Sequence, residues 1–153
     1  MLTLALLITM SVPVHAEECT EWYQMVFEEE GSEIDQLFDS ETPQIMPRSK
    51  YIMGVQTTAK YLGSNQVAIR VDAYCNSTMK SITSIFYLQK YVNGTWYNVS
   101  SGTISVSNSN KLSKTGTVSQ VASGTYRAKS VTKVTDYNGY SESINGYSGS
   151  FSI

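Results

Sequence analysis

The sequence predicts an all-β fold, an immunoglobulin/fibronectin-like antiparallel β-sandwich of about seven strands preceded by a signal peptide and an acidic arm. Three observations carry this. The length of 153 residues is that of one domain. After Arg48 the composition turns to Ser, Thr, Val, Ile and Tyr, with no stretch of helical period. Turn signals recur there at intervals of roughly ten residues, the spacing of short strands in a sandwich.

Taken in order, residues 2–14 form an apolar run, and Val14-His15-Ala16 offers the small residues read before cleavage ahead of Glu17. Residues 1–16 therefore read as a signal peptide, although the usual basic residue ahead of the run is absent. About 13 apolar residues are too few for a span that needs roughly 20. The expected mature chain is secreted and extracellular, with no transmembrane segment. The ending Phe151-Ser152-Ile153 has no wall-anchoring pattern, so any retention at a surface is expected to be non-covalent.

Residues 17–47 read as a flexible acidic arm with at most one helical turn. Ten of the thirteen acids precede residue 42, with no Lys or Arg among them. The rest of the chain holds all eleven basic residues against Asp72, Asp136 and Glu142, a net of +8. This asymmetry predicts that the arm folds back onto the basic domain and masks it from anionic polymers at low salt. Pro43 and Pro47 mark the boundary, and residues 48–153 read as the sandwich domain.

Within it, residues 51–61 are expected as a first strand. Residues 66–74 follow, where Val67, Ile69, Val71 and Ala73 alternate with Ala68, Arg70 and Asp72 to give one buried and one wet face. Residues 84–91 and 96–99 flank Asn93-Gly94, a strong hairpin signal. Residues 107–113 read as a polar loop, 114–121 as a fifth strand, 125–135 as a sixth and 141–153 as the last one or two. Tyr126 follows a turn at the start of a penultimate strand, the place from which a sandwich tyrosine folds its hydroxyl onto the preceding corner; an ordinary strand tyrosine explains it as well.

The segments Tyr87-Leu88-Gln89-Lys90-Tyr91-Val92-Asn93-Gly94-Thr95-Trp96-Tyr97-Asn98-Val99 and Gly124-Thr125-Tyr126-Arg127-Ala128 together resemble a family of small secreted Gram-positive, mainly clostridial, β-sandwich proteins of unknown function. The resemblance covers roughly residues 51–153. It implies secretion and a fibronectin- or immunoglobulin-like sandwich, and it supplies no catalytic residues.

Chemistry is sparse. The only histidine, His15, falls in the expected leader, so the mature chain has no imidazole to activate a nucleophile. Asp72, Asp136 and Glu142 read as surface charges. The stretch 136–142 has oxygen ligands for a hard cation but few carboxylates, so no metal and no cofactor is expected. Cys19 and Cys75 are the only cysteines; a disulfide between them suits a secreted chain, and two reduced thiols are the alternative.

The candidate ligand-binding residues are Tyr137, Tyr140 and Tyr147, able to stack on sugars, and Arg127, Lys129 and Lys133, which alternate along one strand face. Trp96 reads as core. The expected function is a secreted non-enzymatic interaction module at or near the bacterial envelope, its partner an envelope polymer, glycan or protein and not nucleic acid. The alternative is a carbohydrate-binding module using exposed Tyr and Trp, and a hydrolase is the weakest reading.

Overall fold

The computed structural model describes residues 21–38 and 49–153. Their elements are β1 (Met25–Phe27), a 3-10 turn (Asp35–Leu37), β2 (Ile52–Gly63), β3 (Gln66–Val92), β4 (Thr95–Val118), β5 (Thr125–Thr135), β6 (Ser141–Tyr147) and β7 (Phe151–Ser152). Every pairing is antiparallel.

The fold is organised by one long bent hairpin. Asn93 and Gly94 both adopt positive φ, 49° and 84°, and so turn β3 into β4. The two strands then run together as far as a corner where the register slips from Met79↔Ser109 to Tyr74↔Lys111. Five steps along β3 answer two along β4, and the surplus bends the hairpin. Beyond the corner the two strands enter a second layer. One layer holds β2, the first half of β3, the second half of β4 and β1; the other holds the first half of β4, the second half of β3, β5 and β6, with β7 beside β5.

The core lies between these layers. Val67, Ile69 and Val71 meet Phe86, Leu88, Val99, Tyr126 and Ala128, and a second cluster beneath the corner joins Ile52, Ala73, Cys75, Met79, Ile82, Leu112 and Val134. Strict alternation along β5, with Tyr126, Ala128, Ser130, Thr132 and Val134 buried, fixes its register. Tyr126 is wholly buried, and its hydroxyl donates to the Ala122 carbonyl at 2.7 Å. The tyrosine corner of immunoglobulin-like sandwiches is therefore formed. Tyr126→Phe is expected to cost about 1–2 kcal/mol by leaving that carbonyl without its donor. The measurement is urea unfolding, with a lower midpoint and an unchanged m-value.

Four sequence expectations need correcting. Residues 107–113 are strand and not loop: Ser107 pairs with Ser81, Leu112 with Ala73 and Ser113 with Asp72. Their polar composition is tolerated because the strand has water on one side, while Leu112, 1% exposed, anchors it. Residues 66–74 and 84–91 are parts of one strand, β3. The outer face of 66–74 is not wet, since Ala68 and Asp72 are buried. Finally, the boundary near Arg48 fails for residues 21–38. Met25, Val26 and Phe27 pair with Val118, Thr117 and Gly116, a strand too short for periodicity to reveal. Two glycines make room for it: a Cβ on Gly102 would lie 2.9 Å from the Phe27 ring, and one on Gly116 3.0 Å from Met25 Sδ.

Candidate functional site

Because odd-numbered residues of β5 and of the second half of β3 point outward, the outer face of the second layer is built in cross-strand rows. Tyr91 lies beside Trp96, Gln89 beside Asn98 and Arg127, Tyr87 beside Lys129, and Lys129 beside Tyr147. Further along, Lys133 stands between Thr83 and Ser143. The Arg127 guanidinium is 4.3 Å from the Trp96 ring and 4.7 Å from the Tyr147 ring, and its Nε donates to Gln89 Oε1 at 2.8 Å. Lys129 Nζ lies 5.8 Å from the Tyr87 ring and 5.9 Å from that of Tyr147. Cations alternate with aromatic rings, an arrangement that steadies long basic side chains and keeps their charge at the surface.

Three of the six candidate ligand residues, Arg127, Lys129 and Tyr147, thus come together. Lys133 continues their line about 13 Å further along the strand from Lys129. Tyr137 and Tyr140 do not join them. They belong to the β5–β6 turn, where the Tyr137 hydroxyl donates to Asn108 Oδ1 at 2.5 Å and Tyr140 packs edge-on against Tyr51 beneath Lys50 Nζ. Trp96 corrects the sequence reading. It is not core but half-buried on the outer face, 5.1 Å from the Tyr91 ring. The signal was present in the hairpin: Trp96 sits opposite Tyr91, and Tyr91 shares the parity of Tyr87.

The first layer's outer face is closed by the chain itself. Arg70 Nε donates to Asp72 at 2.9 Å, its Nη1 to Asp35 Oδ1 at 2.9 Å and its Nη2 to Ser113 Oγ at 3.0 Å. Thr115 Oγ1 donates to Asp35 Oδ1 at 2.7 Å and Thr117 Oγ1 donates to Glu28 Oε1 at 2.9 Å, while at the end of the second layer Lys90 pairs with Glu21 at 2.8 Å. Phe38 is buried with Lys60 over its ring. Of the acidic segment, residues 28–38 lie over the layer opposite Arg127, Lys129 and Lys133, while Glu21 and Tyr23 reach Lys90 and the Val99 carbonyl of the second layer; among the described residues no acid covers the face of Arg127, Lys129 and Lys133.

Burial pushes the Asp35 carboxyl up, and the Gly31 N–H, the Thr115 hydroxyl and the charges of Arg70 and Lys114 outweigh it, holding it below the ordinary carboxylate range. The hydrogen bond from Lys90 lowers Glu21 likewise. Both groups have depressed folded values, so their contribution is full above the ordinary carboxylate values and is lost as pH falls through the folded ones. Below about pH 4 the segment should loosen before the core does. Hydrogen exchange checks this: protection of the Val26 and Phe27 amides should fall between pH 5 and 3 while that of Val67 and Ile69 persists.

Asp136 and Glu142 are structural groups rather than free surface charges. Asp136 accepts from the Tyr51 hydroxyl at 2.7 Å and from the Asn138 and Tyr140 N–H groups, both at 2.9 Å, and the Tyr51 bond leads in lowering its pKa. Glu142 accepts the N–H groups of Lys50, Tyr51 and Ile52 at 3.0, 2.9 and 2.8 Å, fixing the start of β2. Asp72 likewise is 5% exposed and paired. Among the described residues no group of three His, Cys, Asp or Glu side chains converges as metal ligands would, and no helix is long and apolar enough to cross a membrane. Cys75 is buried, and that burial pushes its thiol up to about 11. Cys19, its expected disulfide partner, lies outside the described residues, as does the expected signal peptide.

Two antiparallel layers that share β3 and β4, with a tyrosine corner between β4 and β5, make a β-sandwich domain. One solved structure similar to the chain is the CARDB domain of a Pyrococcus furiosus protein in complex with di-metal ions, with 15% identity over 72% of this chain and 100% of that one and a TM-score of 0.36. No protein-family model and no curated protein matches the chain, and no relationship to small secreted clostridial proteins is shown.

Proposed function

We propose that this chain is an exported, non-enzymatic interaction module acting at or near the cell envelope, and that it holds an anionic partner on the outer face of its second layer. One observation carries the reading. Arg127, Lys129 and Lys133 project in line from β5, and among the described residues no Asp or Glu shares their face. The aromatic rings between them add flat apolar surface, so a polymer alternating anionic groups with sugar or polyol units fits both features. The absence of histidine after residue 15 and the commitment of Asp72, Asp136 and Glu142 to internal partners support a role without turnover.

Adsorption to poly(glycerol phosphate) tests it. Lys129→Glu/Lys133→Glu should weaken retention at least tenfold at about 0.05 M salt, with the difference shrinking as salt screens the charges. Lys80→Glu, exposed at the corner, is the control and should change little. Equal loss in both variants, or none, would remove the reading.

A glycan-binding alternative is favoured by one feature. Tyr147 also borders a groove of about 430 Å³ between β2 and the turn before β7, lined by Gln56, Thr58, Ser150 and Phe151 among others. Under that reading, Tyr147→Ala abolishes binding on a glycan array, whereas Tyr137→Ala and Tyr140→Ala leave it unchanged.

A further inference from the structure

We infer that two copies of this chain associate through the outer edge of β4, antiparallel about a two-fold axis passing by Ser105. Between Ser100 and Asn110, β4 pairs with β3 on one side only. Along its other side the described residues contribute the Tyr23 N–H, which donates to the Val99 carbonyl at 2.7 Å, and further on the Glu28 N–H to Thr115 and β1 at residues 116–118. Among the described residues, then, the stretch from Ser100 to Asn110 is an edge strand with a row of backbone groups facing away from the sheet.

Edges of this kind are usually blunted by charge, proline or brevity. This one has none of those features, because residues 95–110 contain no Asp, Glu, Lys, Arg or Pro. Its side chains are self-complementary. Thr103, Ser105 and Ser107 are exposed, while Ile104 and Val106 are half-buried toward the core side. With the axis at Ser105, Ile104 of each copy faces Val106 of the other, Thr103 faces Ser107, and Ser105 faces itself. Hydroxyl meets hydroxyl and apolar meets apolar on the proper faces. The chain already makes one such hydroxyl pair across the hairpin, Thr83 with Ser105 at 2.6 Å. Moving the axis to Ile104 would set Gly102 opposite Val106 and forfeit an apolar pair.

A second copy is the occupant that supplies this pattern in register, and an uncharged edge brings no like charges together at the seam. The contact is isologous, and with about seven residues a side it falls at the low end of interface sizes, so the dimer is concentration-dependent. It would continue the second layer into eight strands, placing two Arg127–Lys129–Lys133 lines on one side. That doubling would add avidity for a polymer, but the pairing stands independently of the proposed partner.

The test uses the full chain. Sedimentation equilibrium should show the mass rising with concentration from 16.9 kDa toward twice that value, and Ser105→Lys, which places like charges on the axis at an exposed position, should hold the chain monomeric with an unchanged circular dichroism spectrum. In a Cys19→Ser background, Ser105→Cys should form a disulfide-linked dimer on mild oxidation, and Ser143→Cys on β6 should not. A wild-type chain monomeric at about 1 mM, a Ser105→Lys variant that still dimerises, or cross-linking at Ser143 in place of Ser105 would each overturn the inference. None of these results bears on the Lys129/Lys133 adsorption test.

Discussion

Replacing Arg70 with alanine is expected to destabilise the domain by about 3–5 kcal/mol, the cost of leaving a buried carboxylate without its partner. Asp72 is 5% exposed, and its oxygens are held by Arg70 Nε and by the Ser113 hydroxyl. Burial works against the guanidinium, but hydrogen bonds and charge from Asp72 and Asp35 keep it firmly protonated. Removing it strands Asp72 in the sheet and at the same time releases Asp35, so chemical denaturation should show a large fall in the midpoint together with loss of protection at Val26 and Phe27. The double variant Arg70→Ala/Asp72→Ala should recover more than half of the loss, since removing both members of a buried pair costs far less than removing one. A single-variant loss below about 1 kcal/mol would mean the network contributes no more than an ordinary surface pair.

Gly146→Ala should cost about 2–4 kcal/mol, from overpacking together with a broken buried hydrogen bond. Gly146 lies on β6 where this edge of the second layer closes over β2, and a Cβ there would stand 2.3 Å from Thr57 Oγ1 and 2.9 Å from Ser130 Oγ. Those two hydroxyls share a buried 2.7 Å hydrogen bond, so neither can yield without stranding the other. A thermal melt should show Tm falling by roughly 10 °C. Adding Thr57→Ala opens the space, and the double variant should lose less than the two single losses combined. Strict additivity would place the effect elsewhere.

The strands legible in the sequence were those whose side chains alternate over a long stretch with a recognisable turn beside them. Val67 to Ala73, the Asn93-Gly94 hairpin and Thr125 to Thr135 all declare themselves in this way. Two kinds of element were not legible. Residues 107–113 carry loop-like composition, and only their ladder with β3 on both sides of the corner makes them strand. Met25 to Phe27 lie among acids, and the packing of Met25 and Phe27 depends on Gly102 and Gly116, some 75 to 90 positions away. No local window holds both halves of that fit. The candidate face was half legible: alternation placed Arg127, Lys129 and Lys133 together, but pairing register, which set Trp96 and Tyr147 around Arg127 and carried Tyr137 and Tyr140 elsewhere, is a property of the folded sheet.

Sharing β3 and β4 between the layers also governs how the protein comes apart. In a sandwich whose layers are made of separate strands, one sheet can fray while the other survives. Here the backbone of each layer runs on into the other, so a break that frees Val67 also unmoors Phe86. Slow amide exchange at both residues should therefore report a single global opening with one free energy, and partial unfolding should be confined to the acidic segment and to β6 and β7.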